Sequence, residues 1–141
     1  MPIAHRNHSP SFLRWCGFSL AVLLLSACAT QGEMMDNLNK TLRGYEKAVR
    51  WAKFDAAYSY HKWGANQEIS IPASMENIRV TKYESSNQRF DQQKQIMKQT
   101  ITLRYYNTDD LRERSLKQRQ EWKYFPESKR WYLISDPIVF P

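Results

Sequence analysis

The chain has 141 residues, with 21 Lys and Arg against 14 Asp and Glu, 13% aromatic residues and only four glycines. That composition excludes a disordered or low-complexity chain and leaves room for one small hydrophobic core. Of its two cysteines and three histidines, only Cys28 and His61 lie at or beyond residue 28, too few to build a zinc site from cysteine and histidine.

The N-terminus opens with two cations, Arg6 and Arg14, and no acids, followed by the apolar run Trp15–Leu25. This run of eleven residues, nine of them apolar, makes a signal-peptide core and is too short to span a bilayer as a mature helix. Leu25-Ser26-Ala27-Cys28 closes this run. Small side chains before a scissile bond let a peptidase close on the backbone, and the thiol is a nucleophile to which a diacylglyceryl group can be attached. The four residues resemble the lipobox of bacterial lipoproteins at every position. The resemblance implies that residues 1–27 are a cleaved signal, that Cys28 is the first mature residue, and that it carries acyl chains such as palmitate on its sulfur and its amine. Two or three chains anchor stably where one is marginal. The rival reading is an ordinary secretory signal with Cys28 incidental. In such lipoproteins an aspartate after the cysteine retains the protein at the inner membrane. Here that residue is Ala29, which implies the periplasmic face of the outer membrane. If both cysteines are used or removed in this way, no thiol remains for a disulfide or a metal.

From Cys28 onward 114 residues carry 19 of the cations and all 14 acids, or +5. Residues 28–35 form a short tether, reaching at most about 3.5 Å per residue when extended, so the folded part sits close to the lipid. Residues 36–141 are read as a single α+β domain.

Met35, Leu38, Leu42, Tyr45, Val49 and Ala52 recur at steps of three and four, the apolar stripe of an amphipathic helix. Asn39, Lys40, Arg43, Glu46, Lys47, Arg50 and Lys53 occupy the other side. Such a basic stripe is read as a solvated face, with contact to anionic headgroups as the alternative. Gly44, costly inside a helix, suggests close packing. Asp55 is placed as the cap of a second short helix with Phe54, Ala57, Tyr58 and His61 on one side. No glycine or proline marks the break near residues 51–54, so one helix running through is also open. His61, beside Tyr58 and Trp63, is read as a packed or surface histidine in preference to a general base.

After a connector with Pro72 come four polar-rich strands, 78–90, 95–107, 112–125 and 130–138, split by four-residue turns. Connections this short demand antiparallel neighbours. The expected register sets Leu103 opposite Leu116, Met97 opposite Trp122, Lys98 opposite Glu121, Tyr124 opposite Trp131 and Trp122 opposite Leu133. It gathers Met97, Ile101, Leu103, Tyr105, Leu116, Trp122, Tyr124, Trp131 and Leu133 on one face. Lys98, Thr100, Arg104, Lys117, Arg119 and Lys123 fall on a wet face. In the first strand Val80 and Tyr83 point to opposite sides, which a bulge would explain.

The segments LRGYEKAVRWAKFDAAYSY (42–60), ITLRYYN (101–107) and RQEWKYFPESKRWYLIS (119–135) resemble the opening helices and last strands of the nuclear transport factor 2-like cone, the fold of SnoaL-like and ketosteroid isomerase-like domains. With the lipobox, the chain is similar to small proteobacterial outer-membrane lipoproteins carrying such a domain. The resemblance implies an α+β fold: an N-terminal helical hairpin packed on a curved antiparallel meander, with the elements usual after the hairpin abbreviated to residues 64–77.

Glycine-rich phosphate loops and G-x-S-x-G are missing, and a catalytic triad could use only His61. Nucleic acid is not expected as a partner of an exported protein. The leading reading is a non-catalytic, membrane-tethered binding module with an envelope partner, needing no cofactor or metal, its oligomeric state left open. The alternative is a carrier or an isomerase- or dehydratase-like enzyme using the cone's pocket. In that version Glu84, Gln99, Arg114, Gln118 and Gln120 interrupt the apolar sheet face, and Glu84, buried among aromatics, is the base.

Overall fold

The computed structural model describes residues 11–141, with side chains from residue 30 onward. The chain divides into two units, Met1–Asp36 and Asn37–Pro141. Helix α1, Ser11–Arg50, begins in the first and ends in the second. Residues 30–35, within the expected tether, are helical, which sets their reach at about 1.5 Å per residue, below the extended maximum. Among the described residues, no helix is long and apolar enough to cross a membrane.

In the second unit α1 buries Leu38, Tyr45, Ala48 and Val49. These are the inward positions of the expected stripe plus Ala48, while Met35 and Leu42 stay half-buried. The helix ends without glycine because Ala52 takes the left-handed conformation, φ 51°. Its N–H donates to the Val49 carbonyl (3.0 Å) and the Lys53 N–H reaches back to the Ala48 carbonyl (2.9 Å). That pair of bonds is a Schellman closure with an alanine where glycine is usual. The break therefore falls at Ala52, and the continuous-helix alternative is set aside.

Helix α2, Phe54–Tyr58, follows at once. Lys53, with no side-chain bond, holds its N-cap position. Asp55, expected as the cap, sits instead inside the first turn, where its charge complements the helix dipole. Phe54, Ala57, Tyr58 and His61 are buried together as expected. A single 3-10 turn, Ala73–Met75, punctuates the connector and plants Met75 in the core.

The sheet is a four-stranded antiparallel meander in chain order: β1 Ile78–Asp91, β2 Ile96–Asn107, β3 Glu113–Phe125 and β4 Arg130–Leu133. The pairs Leu103–Leu116, Met97–Trp122 and Lys98–Glu121 form as the alternation predicts, as do Tyr124–Trp131 and Trp122–Leu133. The register of β1 slips between Val80 and Lys82, the bulge that its sequence asks for. A second slip, between Ser86 and Arg89, contains Asn87 at φ 53°. Each connection holds a left-handed residue: Gln95 (φ 53°) and Lys129 (52°) end four-residue turns, and Leu111 (53°) lies in the five-residue connection 108–112.

Strand β4 stops at Leu133, short of the expected residue 138. Pro137 has no N–H to donate, so the ladder cannot continue through it. The chain nevertheless keeps beside β3, with Ile134 N–H donating to the Glu121 carbonyl at 2.9 Å, and buries Ile138 and Phe140. The Tyr58 hydroxyl fastens this tail by donating to the Ile138 carbonyl at 2.8 Å. The outer edge of β4 is covered in turn. Leu133 N–H donates to the Tyr60 carbonyl (2.9 Å) and Lys62 N–H to the Leu133 carbonyl (3.1 Å), so residues 60–62 shield a strand edge that would otherwise invite pairing.

Helix and sheet meet on aromatic rings. Tyr45 packs edge-on against Trp122 at 5.2 Å and against Tyr60 at 5.8 Å. Ile101, Leu103, Tyr105 and Trp122 complete the interior, none more than 1% exposed.

Candidate functional site

Five polar residues interrupt the apolar sheet face in sequence, and the fold sends them to four different places. Glu84 lies on the exposed edge strand, 2.7 Å from Lys82 Nζ with its side chain half open to water. Hydrogen bonding to Lys82 lowers its carboxyl below the ordinary value, the opposite of what a general base needs. The expectation of Glu84 as a buried base is therefore corrected: the bulge at Thr81 turns the strand after Val80, and its carboxylate faces solvent. Arg114 leaves the face as well, pairing with Asp110 in the adjoining turn. That pairing holds the Asp110 carboxyl at about 2.

Gln99 and Gln120 stay inside, opposite each other in the register. Gln99 Nε2 donates to Gln120 Oε1 at 2.9 Å. Gln88 Nε2 donates to Gln99 Oε1 at 3.1 Å, and the Trp122 indole N–H approaches Gln120 Oε1 at 3.4 Å. Burial raises the phenols of Tyr45 and Tyr83 well above their ordinary value, with Gln120 and Gln99 opposing only in part. These neutral amides, with phenols whose ionisation burial disfavours, form a polar seam. Gln118 points elsewhere, donating to the Asp136 carbonyl at 2.9 Å and holding the C-terminal tail.

His61 is buried between Tyr58 (5.9 Å) and Trp63 (5.3 Å). Burial lowers its pKa to about 4, opposed by the Ser135 carbonyl and the Asp136 charge. A neutral, packed imidazole agrees with the structural reading of this residue. Its Nε2 has no hydrogen-bond partner. Among the described residues, no cluster of His, Cys, Asp and Glu could hold a metal ion.

The surface offers a different kind of site, built on the basic stripe of α1 together with Trp51, a residue that the helical pattern did not single out. Trp51, the residue directly after α1, is 71% exposed. The Schellman closure fixes its backbone, so the chain turns away beneath it and leaves the indole outside. Two open clefts meet on this ring. One, of about 500 Å³, is lined by Arg43, Glu46, Lys47, Arg50 and Val80 beside Trp51. The other, about 390 Å³, runs between α1 and α2 over Gly44, Ala48, Ala56 and Tyr60, beside Lys47 and Lys53. Gly44 lets Tyr60 approach α1 at the floor of this cleft: a Cβ there would stand 2.3 Å from the Tyr60 hydroxyl. Glu46 is the one acid among these lining residues, and it lies 3.9 Å from Arg50. The sequence signal that could have found this surface is a tryptophan placed directly after the last basic residue of an amphipathic helix.

Cys28, the expected lipidation residue, and the Leu25–Cys28 box around it lie outside the residues whose side chains are described. Comparison with protein families, with curated proteins and with solved structures gives no match in any of the three.

Proposed function

We propose that this chain is a lipoprotein, anchored through Cys28 at the periplasmic face of the outer membrane, that presents a non-catalytic α+β domain as a binding module. The observation that carries this reading is the Leu25-Ser26-Ala27-Cys28 box closing a charged and then apolar signal. The helix laid on a four-stranded meander fits an abbreviated nuclear transport factor 2-like cone. Its interior is occupied by Tyr45, Ile101, Leu103, Tyr105 and Trp122, where a ligand pocket would need space. That packing favours a module that works through its surface. With Glu84 in solvent, the isomerase-like alternative has lost the one base it named. The working surface would face an envelope partner near the lipid.

The test is expression in a Gram-negative host with labelled palmitate. The wild-type chain should take up label and stay in outer-membrane fractions through a high-salt wash. Cys28→Ser should lose the label and accumulate with its signal uncut. Equal fractionation and processing of the two forms would refute the anchor.

A further inference from the structure

We propose that the surface centred on Trp51 docks on anionic phospholipid headgroups of the bilayer, with the indole entering the interface and Arg43, Lys47, Arg50 and Lys53 meeting phosphates around it. This deepens the binding-module reading and rests on it for the bilayer being near.

The chemistry of the patch selects this partner. An indole combines an apolar body with one polar N–H, which suits the boundary between headgroups and acyl chains. Left 71% exposed, it keeps a large apolar ring in water, although the same chain buries Trp122 and Trp131 almost completely. The clefts flanking the ring divide the work. The one toward Arg43 and Arg50 is rich in charge. The one over Gly44, Ala48, Ala56 and Tyr60 is chiefly apolar, with two lysines beside it. Long cationic side chains lay their stems along apolar surface while their heads reach phosphates. Four cations against one acid, itself drawn toward Arg50, complement an anionic leaflet. The left-handed Ala52 adds rigidity, since the Schellman bonds hold the Trp51 backbone and the indole enters the interface from a fixed base.

The test uses the full chain reconstituted in vesicles, comparing phosphatidylglycerol-containing membranes with pure phosphatidylcholine. The difference between wild type and Trp51→Phe isolates this indole from the other tryptophans. In anionic vesicles the Trp51 emission should shift to the blue and be quenched by brominated acyl chains, and 0.5 M salt should reverse both. Removing one cation, as in Lys47→Gln or Arg50→Gln, should weaken docking about five-fold each, with far-UV circular dichroism unchanged because both side chains are exposed. An indole that stays solvent-like in anionic vesicles overturns the proposal. So does equal shielding on phosphatidylcholine, shielding by a second copy that grows with protein concentration and needs no lipid, or shielding that requires an added acidic protein. The tether and this surface fail separately. An unmodified Cys28 with a salt-sensitive Trp51 signal refutes only the anchor, and a lipidated chain whose Trp51 remains in water refutes only the docking.

Discussion

Gly44 shows how one missing side chain positions a helix. Alanine there would gain about 1 kcal/mol in helix propensity, but its Cβ would meet the Tyr60 hydroxyl at 2.3 Å. Tyr60 also packs against Tyr45 and Trp122, so its ring cannot retreat without loosening both contacts. Gly44→Ala should therefore cost about 1–2 kcal/mol net, the overpacking outweighing the propensity. With Tyr60→Phe the nearest remaining atom is the ring carbon Cζ, at 3.3 Å, and the double variant should regain most of the loss. Urea unfolding of the four forms measures the coupling, and additive effects would refute the contact. His61 gives a second test at this scale. Its folded pKa of about 4 lies below the ordinary 6.5, so the unfolded chain binds the proton more readily. The stability held by the neutral ring is complete above pH 6.5 and is lost as pH falls toward 4. The loss should be about 1–2 kcal/mol, screening by nearby solvent keeping it below the full shift. His61→Phe should remove that part of the acid slope in pH-dependent urea midpoints, whereas an unchanged slope would place the ring in water.

At the scale of elements, Ala52 is the position where a rule of sequence reading is broken. It takes φ 51°, which favours glycine. Ala52→Gly should raise stability by about 0.5 kcal/mol, the relief of strain exceeding the extra entropy of the unfolded chain. A lower thermal midpoint for this variant would mean the closure is not strained. The same position explains what the sequence could and could not tell. Strand pairing was legible because period-two alternation and four-residue turns admit one register, from Leu103–Leu116 to Trp122–Leu133. The bulge in β1 was legible from the mismatch of Val80 and Tyr83. The break after α1 near residues 51–54 was legible as well, but not how it is made, because an alanine carries no sign that it will turn left-handed. The early end of β4 was legible in Pro137 yet masked by the apolar residues Ile134 and Ile138 around it. Among the interrupting polar residues, Gln99 and Gln120 follow from the register, being direct partners. Glu84 falls on the wrong face in the sequence reading because the bulge at Thr81 reverses the side chains that follow it, up to the second slip after Ser86. Gln99 and Gln120 also carry a prediction. Gln120→Leu alone should cost about 1–3 kcal/mol by stranding Gln99, and Gln99→Leu with Gln120→Leu should cost less than the two separate losses combined. Full additivity in urea unfolding would argue against a shared hydrogen bond.

For the molecule as a whole, the division of labour runs along the chain. On the proposed reading the first residues carry the anchor, while the second unit forms a filled core and the end of α1 turns a tryptophan and several cations outward. A filled interior and a decorated exterior suit a part that touches something. Trp51 is easily passed over in sequence because amphipathic helices are read by their buried stripe, and the residue just past the last turn belongs to neither face. Everything proposed about location depends on the thiol of Cys28, and intact-mass measurement of the protein extracted from membranes tests it most directly. The mature chain should start at Cys28 and carry the added mass of a diacylglyceryl group with an amide-linked acyl chain. A product cut at any other bond, or one starting at Cys28 with a free thiol, would contradict the lipid anchor.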